Sequence, residues 1–168
     1  RDFAKIGKPV DRDEWHMTPQ TVNAYYNPSM NEIVFPAGIL QPPFFDVQAE
    51  DAVNYGAIGM VIGHEISHGF DDQGSKYDGQ GNLRNWWSPG DLEDFQRLAS
   101  GVEKQFASYE AAGLKLNGKL VLGEAIADLS GLQLAWMAYQ RAQDGRAPQV
   151  LDGFTPAQRF FLGYARVW

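Results

Sequence analysis

The sequence predicts a mainly helical α+β domain. Three observations carry that expectation. Apolar residues recur at helical spacing through four long segments, near 49–70, 88–112, 124–142 and from 155 onward. Only two short runs, Thr21–Tyr26 and Glu32–Phe35, have the aromatic and β-branched character of strands. A length of 168 residues suits one domain with a core of its own.

Taken in order, residues 1–20 are polar, carry Gly7, Pro9 and Pro19, and read as an irregular lead-in. The two strand runs flank Asn27-Pro28-Ser29-Met30-Asn31, a turn sequence, and so form a hairpin. Pro36, Pro42 and Pro43 break up the loop that follows. Residues 49–70 read as one helix, with Ala49, Ala52, Val53, Ala57, Met60, Val61 and Ile62 as its apolar contacts. Residues 71–87 are a polar, glycine-containing loop. Asp71-Asp72 is acidic, but 71–82 lacks the alternating acids and closing glutamate of a calcium loop, and Trp86-Trp87 reads as packing.

Ser88-Pro89-Gly90-Asp91 opens a helix with a capping hydroxyl, an early proline and an acid in the first turn. Leu92, Phe95, Leu98, Val102, Phe106 and Tyr109 continue it to about Ala112 as an expected core stripe. Asn117-Gly118 marks a turn. The helix around Glu124 runs to about Ala142, with Ile126, Leu129, Leu132, Ala135, Trp136 and Tyr139 as its buried stripe. After a loop over 143–153, Thr155-Pro156 caps a last helix ending at Val167-Trp168. No repeat, low-complexity run or interdomain linker is visible.

Chemistry concentrates in His64-Glu65-Ile66-Ser67-His68, an H-E-x-x-H match that holds two of the three histidines. Residue frequencies alone would produce it in roughly one per cent or fewer of chains this long. On a helix, residues four apart lie one turn above each other, so His64 and His68 can aim both imidazoles at one metal ion. Glu65 then points beside that ion, where a general base must stand to take a proton from a metal-bound water.

A catalytic zinc takes three protein ligands and leaves the fourth position to water. The chain has no cysteine, so the third ligand should be a carboxylate. His16, in a polar stretch, reads as a surface or packing residue. Glu124 is the best candidate. It lies with Asp128, one turn on, in the small-residue stretch 121–132, and acids beside a buried stripe are costly unless paired or bound to metal. Taken alone, Glu124 could also be an acid in the first turn of a helix, where it interacts favourably with the macrodipole. Beside a two-histidine motif, Asp128 gains a second role, because a metal-bound histidine donates its other ring N–H to a carboxylate or carbonyl.

Three blocks, Val22-Asn23-Ala24-Tyr25-Tyr26, His64–Asp72 and Gly123-Glu124-Ala125-Ile126-Ala127-Asp128, resemble the signatures of the neprilysin and endothelin-converting-enzyme family of zinc metalloendopeptidases, and 32–46 is similar as well. The resemblance covers nearly the whole chain in the family's order. It implies a zincin-like, thermolysin-like catalytic domain with a hairpin edge beside the metal helix. It implies His64, His68 and Glu124 as zinc ligands, one zinc per chain, Glu65 as catalytic base and Asp128 orienting His64. It implies Asn23 and Ala24 as the residues holding a peptide substrate's backbone, with Asp71 a lesser supporting candidate. A large apolar residue after the cleaved bond is the family's preference. Residues 1–168 would then be part of one catalytic domain, with an upstream helical domain and a downstream segment, carrying an oxyanion-stabilising His and an Arg, lying outside it.

The edge strand itself offers unpaired N–H and C=O groups to an extended peptide, and Asn23 adds an amide. A different class of function uses the same ligands: a zinc-stabilised module that binds peptides without cleaving them. Retention of Glu65 disfavours it, since a structural zinc has no use for a base. The formal net charge of −7 argues against nucleic acid and anionic membrane as partners. The family's animal members are disulfide-rich ectoenzymes, so a cysteine-free chain points to a bacterial homologue. Absence of cysteine does not itself assign a compartment; the resemblance favours an extracellular or periplasmic setting over a cytoplasmic one.

Overall fold

A computed structural model describes residues 2–168. Of the expected irregular lead-in, Arg1 lies outside the described residues, and Asp2–Lys5 form a single 3-10 turn. Strands β1 (Tyr25–Asn27) and β2 (Glu32–Val34) pair antiparallel, Tyr25 opposite Val34 and Asn27 opposite Glu32. The Asn27 Oδ1 accepts from the Ser29 N–H at 3.2 Å and hydroxyl at 2.8 Å, and Asn31 turns the chain at φ 49°.

The ladder is shorter than Thr21–Tyr26 and Glu32–Phe35. Thr21 N–H donates to Thr18 O at 3.0 Å and Ala24 N–H to Asn23 Oδ1 at 2.9 Å. Those local bonds remove the donors that pairing needs, so Asn23 and Ala24 stand just ahead of the strand. The ladder ends before Phe35, next to Pro36, which has no N–H to donate.

The long helix expected over 49–70 runs from 51 to 68 in three pieces. Helix α1 (Asp51–Asn54) passes through a π-helical turn (Tyr55–Gly59) into α2 (Met60–His68). The wide turn has a partner outside the helix: Ile58 N–H donates to Phe44 O at 3.0 Å. Ile62, expected to be buried, is exposed.

Helix α3 (Pro89–Ala107) opens on the expected cap, with Ser88 Oγ accepting from Asp91 N–H at 3.2 Å. It stops short of Ala112. A two-residue hairpin follows, β3 (Glu110–Ala111) against β4 (Leu114–Lys115), turned by Ala112 at φ 53° and Gly113 at φ 78°. The α3 stripe is not core. Only Ala99 is buried, Leu98 is 63% exposed, and the stripe borders an apolar groove against α2 and α4. Helix α4 (Leu122–Ala142) likewise leaves Leu129 53% exposed, because its buried line is Ala127, Gly131, Ala135 and Tyr139. Helix α5 (Pro156–Val167) begins with a complete capping box between Thr155 and Gln158.

One core cluster joins Ala52, Met60, Ala135, Tyr139 and Phe160. A second joins Ala24, Ile39, Ile58 and Val61, with Phe35 and Phe44 against it, and so ties the hairpin entry to the long helix. Helices α2 and α4 touch backbone to backbone. A Cβ at Gly63 would lie 2.6 Å from Gly131 O, and one at Gly131 would lie 2.4 Å from His64 N. Among the described residues no helix is long and apolar enough to cross a membrane.

Gly131→Ala should therefore destabilise the fold by about 1–3 kcal/mol or more through forced overpacking. Gly101→Ala, on α3 with nothing near its added Cβ, should stabilise by about 0.5–1 kcal/mol. Urea unfolding of both variants checks the pair, and equal effects would contradict the crossing geometry.

Candidate metal centre

The Gly63–Gly131 contact sets α2 and α4 side by side in opposite senses. Residues just after Gly63 meet residues before Gly131. His64 Nδ1 lies 2.8 Å from Asp128 Oδ1. One turn further along α2, His68 Nε2 lies 3.7 Å from Glu124 Oε2, which is also 3.4 Å from His64 Nε2. The i and i+4 spacing of the histidines brings their two Nε2 atoms to 2.9 Å.

His68 has a carboxylate behind it too. Its Nδ1 lies 2.7 Å from Asp71 Oδ2. Asp71 is buried, and its Oδ1 accepts the N–H groups of Gln73 at 2.8 Å and Gly74 at 2.7 Å. Burial raises its pKa, but the bonds from His68, Gly74 and Gln73 outweigh that and hold it below the ordinary carboxylate value. Sequence reasoning ranked Asp71 behind Asp128, whereas the structure gives the two carboxylates equivalent places. Spacing alone could not show the tight turn after His68 that swings Asp71 back.

These contacts fix the tautomers. A carboxylate can only accept, so each Nδ1 carries its proton toward Asp128 or Asp71. In the neutral rings both Nε2 atoms then present lone pairs, converging with a Glu124 oxygen. Three lone pairs facing one another repel unless a cation lies among them. Zinc bonds of about 2.0–2.1 Å give tetrahedral edges of about 3.3 Å, within the observed spread of 2.9 to 3.7 Å. A nitrogen, nitrogen and carboxylate-oxygen set suits zinc.

Glu65 offers an oxygen within 4.8 Å of the histidine donors, so two glutamates border the same point. They differ in surroundings. Glu65 is 5% exposed, and burial raises its carboxyl pKa, a push that the charges of His64 and His68 oppose and that of Glu124 reinforces. Glu124 is exposed and closes on both Nε2 atoms. A carboxyl that burial inclines to hold a proton suits a proton carrier.

Asn23, Ala24, Tyr25 and Tyr26 form the opposite wall of the same cleft, which holds about 430 Å³ and is closed at one side by Gln73 and Gly74 and at another by Trp168. The Trp168 ring lies 6.4 Å from that of His64. Nothing in the sequence around Trp168 marked it as a site residue. His16 is apart from the centre: its N–H donates to Tyr25 Oη at 3.1 Å and its ring meets Tyr25 edge to face. Volume alone does not find the site. A larger hollow of about 880 Å³ lies between α4 and α5, where Arg159 pairs with Glu50 and Arg146 with Asp51.

A mainly helical domain with H-E-x-x-H on one helix and a glutamate on the helix crossing it belongs to the zincin-like class. Residues 23–168 match the sequence profile of peptidase family M13, and the chain belongs to that family. It is 47% identical to neprilysin-3 of Drosophila melanogaster over 99% of its own length and 22% of that protein's. It is 48% identical to human endothelin-converting enzyme 1 over 98% of its length and 22% of the enzyme's. Its fold superimposes on the inhibitor-bound zinc metalloprotease Zmp1 of Mycobacterium tuberculosis with a TM-score of 0.96 at 54% identity, covering 99% of this chain and 26% of that one. PepO of Lactobacillus rhamnosis gives 0.84 at 44% identity over 95% of this chain and 24% of that one. The chain thus spans about a fifth of the curated relatives it matches.

Replacing either supporting carboxylate, Asp71→Ala or Asp128→Ala, should weaken zinc affinity by about ten- to a hundredfold. A chelator competition assay measures both. An effect for Asp128 alone would demote Asp71.

The pH dependence has a defined sign. Burial lowers the His68 pKa, but the Asp71 hydrogen bond and the negative charges of Glu124, Asp71 and Glu65 outweigh it, leaving the ring above its ordinary 6.5. With His68 Nε2 as a metal donor, proton and metal would compete for it, so zinc affinity should fall with acidification, beginning above the ordinary histidine pKa. In the metal-free protein the raised pKa contributes stability fully present below about 6.5 and lost as pH rises through the folded-state value. Titrations with zinc between about pH 6 and 8 check the first part, and thermal melts of the metal-free protein the second. Zinc affinity independent of pH across that window would contradict the protonation scheme.

Proposed function

We propose that residues 1–168 are part of one catalytic domain of a zinc-dependent endopeptidase, with zinc held by His64, His68 and Glu124. The single observation that carries this reading is the convergence of three lone-pair donors whose histidines are each backed by a carboxylate, with a buried glutamate beside them. Bound there, zinc supplies Lewis acidity, which lowers the pKa of a water and polarises a carbonyl.

The chain's own groups do the rest. Asp128 and Asp71 hold the imidazoles in the tautomer that leaves both Nε2 atoms free to ligate. Glu65 takes the proton of the attacking water. Its raised pKa suits it to take a proton and to hand the same proton to the leaving amine. Asn23 and Ala24 bind the peptide backbone. Asn23 Oδ1 accepts from Ala24 N–H at 2.9 Å, which leaves the Asn23 NH₂ available to a peptide carbonyl. Trp168 supplies an apolar wall beside His64, in keeping with a large apolar residue after the cleaved bond.

Peptides are the proposed partners. The absence of cysteine supports a bacterial source. The ectoenzyme character of the family supports a setting outside the cytoplasm.

Glu65→Gln keeps the side chain's size but cannot accept the proton. The zinc-loaded variant should bind peptide and lose about a hundred- to ten-thousandfold in turnover of a quenched fluorogenic peptide. Loss of zinc in the variant would make Glu65 a ligand. Wild-type turnover in the variant would place the base elsewhere. Peptide binding without turnover in the zinc-loaded unmutated protein would favour a binding module instead.

A further inference from the structure

We infer that Gly38 is a positioning residue for the peptide-binding edge. This rests on the reading of Asn23 and Ala24 as that edge. Gly38 sits in a 3-10 turn, Ala37–Ile39, buried against the segment that leads into Asn23. Its N–H donates to Pro19 O at 2.8 Å. A Cβ there would lie 2.6 Å from Gln20 C and O and 2.7 Å from Thr21 O. Ordinary contact begins near 3.4 Å, so any side chain must open a gap of about 0.8 Å. All three atoms are backbone, so no rotamer change relieves the clash.

The surroundings decide which side moves. The turn is fixed: Ile39 is 2% exposed and packs with Ile58, Val61 and Ala24, and Gln41 Nε2 donates to Gly38 O at 2.6 Å. The far end of its loop is fastened to the metal helix. Ile58 N–H donates to Phe44 O at 3.0 Å, and the Asn54 amide bonds Asp46 N–H at 3.0 Å and Asp46 O at 2.8 Å. Gln20, Val22 and Asn23 are exposed and carry no such support. A side chain at residue 38 therefore displaces Gln20 to Asn23 against Ala24, which the core cluster holds, so the Asn23 end of the edge moves while the helix bearing His64 and His68 stays in place.

The test is Gly38→Ala beside Asn23→Ala, with Gly101→Ala as a control whose added methyl meets open space. Two readouts are needed: KM and kcat for a fluorogenic peptide, and the Kd of the same peptide in a zinc-loaded Glu65→Gln background. Gly38→Ala should raise KM and that Kd by roughly tenfold or more, with kcat and zinc content held, because a displacement near 1 Å in a positioning group costs about that much or more. If Asn23→Ala leaves both constants unchanged, the edge reading fails and this inference with it. If Asn23→Ala weakens the peptide and Gly38→Ala does not, the positioning role alone is overturned. A fall in zinc content or kcat alongside KM assigns Gly38 to the general fold and also overturns it. Should Gly38→Ala not fold, Ile39→Val trims one methylene beneath Ala24. It should raise KM by a smaller factor with kcat kept, and an unchanged KM would overturn the inference.

Discussion

The site depends on one steric constraint, the approach of α2 and α4 at Gly63 and Gly131 with no side chain between them. Side chains on both helices would hold the axes roughly 8–10 Å apart. With backbones in contact, short side chains reach. An aspartate on α4 can then touch a histidine ring on α2 at 2.8 Å, and a glutamate one turn along can close on two ring nitrogens. The opposed helix senses matter equally, since rising along α2 from His64 to His68 means descending α4 from Asp128 to Glu124. The i and i+4 spacings on the two helices are matched halves of one arrangement.

That geometry gathers negative charge in a partly buried place. Asp71 and Asp128 lie behind the rings, Glu65 beside them and Glu124 in front. Four carboxylates around two neutral imidazoles would repel strongly at low dielectric. Metal-free, the cluster answers by protonation, which the raised pKa values of His68 and Glu65 express. A divalent cation answers it better, because it satisfies three lone pairs at once and frees the proton capacity of Glu65 for transfer. The cluster is therefore poorly explained as a structural ion-pair network and well explained as a metal cradle.

Much of the centre was legible in the sequence because it obeys helix periodicity. His64, His68, Glu124 and Asp128 fall where i and i+4 spacing puts them, and the Ser88 and Thr155 caps are local hydrogen bonds between near neighbours. What failed to show depends on distant partners. The π-turn exists because Phe44 O takes the Ile58 N–H, which no periodicity in 51–68 encodes. Thr21 and Ala24 read as strand but spend their N–H donors locally. Helix α3 has an apolar stripe of helical period, yet which face meets protein is a tertiary fact, and half of that stripe borders an open groove. The glycines at 63 and 131 look like weak helix formers until the two helices are seen to cross there.

The two walls of the cleft are not independent. Helix α2 and the π-turn before it carry the histidines on one side and, through Ile58 and Val61, seat Ala24 and Ile39 on another. A shift of that helix would therefore reach both the histidines and the contacts that hold Ala24 and Ile39. Glu65, fixed on the same helix between the histidines, keeps its place against both. The short loop from Pro36 to Asp46 links these contacts, fastened at one end to the π-turn and pressed at the other against Gln20 and Thr21. Residues that touch neither the histidines nor Glu124 therefore bear on where Asn23 and Ala24 stand. A turn with no room for a methyl group is the point at which such an effect would be largest.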